Sequence, residues 1–157
     1  ILSQYPYDFL VGSIHSIDGI LYDMPFSREL LWDHFPADDI YRRYYALVEQ
    51  LMRSGLFTQV AHPDTIKLFD IYPSYDLTPT YARLAELAAE KDLYMEDNTG
   101  CHYRYHTADI GLSDAFLRVL LDHHVKIMTA SDAHVPEHVG NYIPEACEKI
   151  RQMEAQR

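Results

Sequence analysis

Short apolar runs alternate with longer amphipathic ones along this chain, and that alternation leaves few folds open. The apolar runs lie at about 9–15, 57–62, 92–97 and 125–131, each of strand length. Asp38-Asp39 places acid at the start of a helix that runs to about Ser54, with Gly55 as its stop. Within it Ile40, Tyr44, Leu47, Val48, Leu51 and Met52 recur at helical spacing. Thr78-Pro79 opens a second helix with Tyr81, Leu84, Leu87 and Ala88 on its buried face. Ser113 caps a third that carries Phe116, Leu117, Leu120 and Leu121, and a last helix starts near Pro144. Strands alternating with helices predict a mainly parallel α/β sheet, open or closed into a barrel. Four such units are too few to close one, since ordinary barrels of this class use about eight strands. The chain also begins at Ile1 rather than Met. Both features lead us to expect a missing upstream segment, with 1–157 the C-terminal portion of a single domain.

The bulk chemistry narrows the partners. With 48% hydrophobic residues among 157, the chain can bury a sizeable core. Thirteen tyrosines predict half-buried walls with polar tips. A net charge of -11 disfavours a nucleic-acid surface, which needs a basic footprint, and is compatible with divalent cations. No apolar stretch approaches the roughly 20 residues that span a bilayer, and no signal peptide is visible. Cys101 and Cys147 are far apart and outside any CxxC pattern. A single bridge between them is one reading; a reducing, cytoplasmic compartment is the favoured one.

The chemistry gathers where strands end. Side chains two apart on a strand share a face, so Asp132 and His134 in Ser131-Asp132-Ala133-His134 leave the last strand as adjacent ligand types. His15 ends the first apolar run and His62 the second. The carboxyl ends of parallel strands form the active face of such folds. Four residues with imidazole or carboxylate donors at those ends predict one metal centre.

These residues resemble the PHP (polymerase and histidinol phosphatase) superfamily, and within it the histidinol-phosphate phosphatases. The matching pieces are 8–15, Ile17-Asp18-Gly19, Gly55-Leu56-Phe57, Ala61-His62-Pro63-Asp64, Asn98-Thr99-Gly100 and Ser131-Asp132-Ala133-His134, with Glu137, Val139 and Gly140 behind. The resemblance implies an incomplete, distorted (β/α)7 PHP-type barrel with parallel strands, its N-terminal strands missing. It implies a centre of up to three divalent ions (zinc, iron or manganese) in the intact domain, and hydrolysis of a small phosphomonoester, foremost histidinol phosphate. His15, His62, Asp132 and His134 then stand as metal ligands, Asp132 and His134 in the family's last catalytic motif. The family's upstream His-x-His pair, further histidine and bridging acid lie outside this chain. The segment Glu96-Asp97-Asn98 puts a charge where relatives carry an apolar residue facing the helices. The stretch from Cys101 to His106 also departs from the family and is expected to shape the substrate pocket, with His102 and His106 flanking Arg104.

A phosphate dianion needs protein cations, and Arg28, Lys67 and Arg104 are the candidates. A ligating histidine donates its other N–H to an acceptor. Asp64 and Asp18 are placed for that, or are turn residues. His123 and His124 read as caps at a helix C-terminus. Unpaired sheet edges predict a homo-oligomer or pairing with the missing N-terminal part. Two other readings stand beside the phosphatase: a non-catalytic metal- or partner-binding module, and a phosphodiesterase or exonuclease of the same superfamily.

Overall fold

The computed structural model describes residues 2–157. After a turn at Leu2–Gln4, strand β1 (Val11–Gly12) leads into a hairpin, β2 (Ser16–Ile17) and β3 (Ile20–Leu21). A π-helical turn at Arg28–Trp32 precedes helix α1 (Ala37–Arg53). Strand β4 (Gln59–Val60), a turn at Thr65–Lys67 and α2 (Thr78–Glu90) follow. Next come β5 (Tyr94–Asn98), α3 (Gly100–Tyr105) and α4 (Asp114–Asp122). The chain closes with β6 (Lys126–Ala130), a turn at Pro136–His138 and α5 (Ile143–Ala155). One sheet has the order β1-β4-β5-β6, with every neighbouring pair parallel. The architecture is mixed α/β, compatible with part of an α/β barrel.

Register explains the two faces. Val11, Gln59, Tyr94 and Lys126 form one row, and Gly12, Val60, Met95 and Ile127 the next. By strand alternation the two rows point to opposite sides. The second row faces the helices: Val60 and Met95 are fully buried in one core with Tyr44, Val48, Leu84, Phe116 and Leu120. The first row is only partly covered. Val11 is 50% exposed, and Met128, two beyond Lys126 on the same face, 37%. That face is open toward its β1 and β6 edges, while Gln59 and Glu96 at its centre are buried.

Local sequence accounts for most helix ends. Ser113 Oγ accepts from Phe116 N–H at the start of α4, Thr78 and Pro79 begin α2, and Gly55 takes φ +67 just past α1. The apolar runs give shorter strands than expected. The run at 9–15 pairs only over Val11–Gly12, and that at 57–62 only over Gln59–Val60. The chain then bends away: Leu10 N–H is taken by Thr58 Oγ1, and His62 turns to φ +33. The hairpin β2–β3 and helix α3 are additions to the alternating strands and helices that the sequence predicts.

The buried tyrosines form a stacked wall. Tyr22, Tyr44, Tyr45 and Tyr81 meet in successive edge contacts, and Tyr81 stacks on Phe116 at 4.3 Å. The hydroxyls of Tyr22, Tyr44 and Tyr45, and that of the neighbouring Tyr41, find acceptors: Tyr41 donates to Ile71 O and Tyr45 to Asp64 Oδ1. Burial pushes the phenol pKa of each of these core tyrosines up.

Asp97 faces the helices, as the alternation requires, and is fully buried. Its Oδ1 accepts from Leu112 N–H at 2.6 Å, while Oδ2 has no partner. Gly111, at φ +80, lies so close that a Cβ there would overlap this carboxylate. Burial raises the Asp97 pKa from the ordinary 3.8 to about 6, against the lowering pull of the Leu112 N–H, Lys149 and Lys67. A carboxyl raised in the folded state binds protons that the unfolded chain has released. Stability from this group is therefore full below pH 4 and lost as pH rises through about 6, by about 3 kcal/mol. Asp97→Asn is expected to flatten that part of the pH profile. Urea unfolding at pH 4 and pH 7 measures it; identical pH slopes in variant and parent would refute the assignment.

Candidate active site at the strand carboxyl ends

His15 follows β1 and His62 follows β4, and because those strands are adjacent and parallel the two imidazoles meet. Their ring centroids are 4.9 Å apart at 61°. His15 Nδ1 lies 2.7 Å from Asp23 Oδ2 and His62 Nδ1 lies 3.2 Å from Thr65 Oγ1. A carboxylate only accepts, so His15 carries a proton on Nδ1, and in the neutral ring Nε2 is the free nitrogen. Burial, and then the neighbouring His15, lower the His62 pKa. A neutral imidazole is the form that binds metal.

Asp132 follows β6 at φ +52. Its carboxylate accepts from Arg104 at 2.5 Å, and its carbonyl accepts from the same guanidinium at 2.5 Å. Desolvation alone would lower the Arg104 pKa; the Asp132 carboxylate more than offsets it, and the net shift is upward. His134 has its Nδ1 2.9 Å from Asp132 O, and its side chain is 69% exposed. The structure thus joins His15 with His62 and leaves Asp132 held by Arg104 and His134 turned outward. Among the described residues no three His, Cys, Asp or Glu side chains are gathered closely enough to hold a metal ion. The donor set still suits a divalent cation. His15 and His62 supply imidazole nitrogens of the type that zinc, iron and manganese accept. Asp132 would add a carboxylate on leaving Arg104.

The cation candidates separate. Lys67 is 3% exposed, and its ammonium donates at 2.9 Å to each of Asp64 Oδ2, Asp109 Oδ2 and Gly111 O. Burial alone would lower its pKa, but Asp64 and Asp109 drive it upward. All three of its donors are used inside the protein, so it braces the loop before α4 and has none left for a ligand. Arg104 is partly exposed at the site, and Arg28 is exposed in the turn between β3 and α1.

The expected acceptors for the histidines also moved. Asp64 serves Lys67, Tyr45 and Ser113 N–H. Asp18 sits in the β2–β3 turn at φ +51 and pairs with Arg43. Asp23 and Thr65 take their places, and only Thr65 keeps a readable spacing, three after His62. Glu96 lies beneath, accepting from Gln59 and Asn98 side chains and from His62 N–H. Burial raises its pKa, partly countered by those donors. His123 caps the end of α4 as expected.

Helix α3 crosses the rim. Tyr105 donates to Asp23 O on the His15 side, while Tyr103 donates to Ser131 O at 2.7 Å on the other. His102 sits against Thr107 O and Tyr142.

The layout defined so far is an α/β sheet with a histidine pair and an Arg–Asp pair at its carboxyl edge. In sequence the chain is similar to a protein named probable histidinol-phosphatase from Deinococcus radiodurans. The two are 31% identical over 154 residues, which cover 96% of this chain and 56% of that relative. The chain thus spans little more than half the relative's length. No family model matches the chain.

Proposed function

We propose that this chain is the C-terminal portion of a PHP-type (β/α)7 domain that hydrolyses a small phosphomonoester, with histidinol phosphate the first substrate to test. The observation that carries the reading is the His15–His62 pair at adjacent parallel strand ends. The similarity to a protein named probable histidinol-phosphatase supports it. His15, His62, Asp132 and His134 would hold divalent ions, zinc, iron or manganese, with further ligands from upstream strands. Such ions supply Lewis acidity toward phosphoryl oxygens and toward water. Phosphomonoester hydrolysis is among the slowest uncatalysed reactions, so that charge stabilisation is needed.

In this reading Asp132 exchanges Arg104 for a cation, and the released guanidinium meets the phosphate, a fork-shaped donor suited to it. Arg28 is the second candidate contact. Upstream strands would cover the open sheet face and the edges at β1 and β6, or a second copy would do so. Cys101 and Cys147 are both free thiols, which fits the cytoplasm we propose. No helix is long and apolar enough to cross a membrane among the described residues.

Phosphate release by the metal-reconstituted full-length protein tests the reading, across histidinol phosphate, other monoesters and diesters. Monoester turnover is expected. Rapid diester cleavage with inert monoesters would replace it with the phosphodiesterase reading, and binding of metal without hydrolysis would indicate a non-catalytic module. Arg104→Gln is expected to raise KM about 10- to 100-fold with a smaller change in kcat, as for a contact equal in ground and transition states. An unchanged KM would remove Arg104 from the phosphate site.

A further inference from the structure

Three hydroxyls behind His62 have more oxygen neighbours than hydrogens, and counting those hydrogens assigns the imidazole. Thr65 Oγ1 lies 2.7 Å from Tyr22 Oη, 2.9 Å from His62 O, 3.2 Å from His62 Nδ1 and 3.5 Å from Tyr44 Oη. Tyr22 Oη lies 2.9 Å from Ile14 O, and Tyr44 Oη 3.4 Å from His62 O. Tyr22 and Tyr44 are buried, so neither has water as an alternative partner. The two carbonyls can only accept. Each hydroxyl has one hydrogen.

The arrangement that satisfies both carbonyls sends Tyr22's hydrogen to Ile14 O and Tyr44's to His62 O. The 2.7 Å contact between Thr65 and Tyr22 then needs the Thr65 hydrogen. If Thr65 instead donates to His62 O, Tyr22 donates to Thr65. Either way the Thr65 hydrogen goes to an oxygen, and Oγ1 turns a lone pair to His62 Nδ1. Donating the Thr65 hydrogen to Nδ1 would skip two closer oxygens, and would leave the 2.7 Å Thr65–Tyr22 contact without a hydrogen unless Tyr22 gave up Ile14 O, either of which is costly in a buried place.

We infer that Thr65, backed by Tyr22, is a positioning residue that holds His62 as the Nδ1–H tautomer and keeps Nε2 as its free lone pair. His15 reaches the same state by a different route, through Asp23. The two histidines therefore present the same nitrogen. The Tyr22 link also ends on Ile14 O, the carbonyl just before His15, so one chain of hydroxyls ties both histidine loops together. What Nε2 is for rests on the metal-centre reading above; the tautomer does not.

Long-range proton–nitrogen correlation spectra of the 15N-labelled, metal-free protein at pH 8 read the tautomer directly. The parent is expected to show His62 protonated on Nδ1 and bare on Nε2. Thr65→Val removes the acceptor and is expected to release the ring toward the Nε2–H form; Thr65→Ser restores the oxygen and is expected to restore the parent pattern. A parent His62 protonated on Nε2 overturns the inference, and that spectrum needs no variant to fold. So does a folded Thr65→Val with the tautomer unchanged. Adding zinc separates the two claims. A perturbed His62 Nε2 supports the metal-centre reading, with zinc affinity about 10- to 100-fold weaker in Thr65→Val. Nε2 signals of both histidines indifferent to zinc overturn that reading and leave the tautomer assignment standing.

Discussion

Lys67→Met is expected to destabilise the fold by about 3–5 kcal/mol, the cost of removing one partner from a buried ion pair. The ammonium lies between Asp64 and Asp109 and also binds Gly111 O. Methionine has similar length and no charge, so the packing is largely kept and the electrostatic loss is isolated. Asp64 suffers most, being buried with Lys67 as its cation, although Tyr45 OH and Ser113 N–H still reach it. Asp109 is partly exposed and can turn to water. Urea denaturation followed by circular dichroism gives the shift in midpoint at constant slope. A loss under about 1 kcal/mol would mean that the pair is solvated in solution. Lys67→Arg is not a rescue, since a planar guanidinium cannot reproduce three convergent ammonium donors in a closed space.

If the strand-end site is the metal centre of a phosphatase, as proposed above, His62→Ala and Asp132→Asn should each lower turnover of the full-length protein by more than about 100-fold. Removing an outer partner of a metal ligand already costs about 10- to 100-fold, and the ligand itself more. The two variants differ in the free protein. His62→Ala deletes a ring from the pair with His15, whereas Asp132→Asn dismantles the ion pair with Arg104. Phosphate release together with bound metal per chain distinguishes loss of chemistry from loss of ions. Near-normal turnover in His62→Ala would dismiss the strand-end site.

The sequence made legible what is local. Helix faces and the Ser113 cap are written in spacings of three and four residues, and the strand directions follow from their alternation with helices. Parallel neighbours alone were enough to bring His15 beside His62. What escaped reading is what the fold decides at long range. Lys67 finds Asp109 across 42 positions, and Arg104 finds Asp132 across 28. No composition rule distinguishes a buried, fully paired lysine from a free one. The β2–β3 hairpin did carry a local signal, Asp18-Gly19 between Ile17 and Ile20, both turn residues at positive φ. Helix α3 had none, because its tyrosines, histidine and cysteine are weak helix formers and its place is set by contacts at either end.

The close approach of Gly111 to Asp97 has a bearing on how this sequence can change over generations. An apolar residue at 97 would relieve the buried charge but strand the Leu112 N–H. Any side chain at 111 is blocked while the carboxylate stays, and the left-handed backbone there disfavours it further. Substitutions at 111 are thus permitted only after 97 has already shrunk or the 107–113 loop has been rebuilt. The order of mutation is constrained: within the present loop, position 97 has to change before position 111 can, while the Leu112 N–H holds a hydrogen-bond acceptor on the helix-facing side of the strand, where its buried neighbour Met95 is apolar.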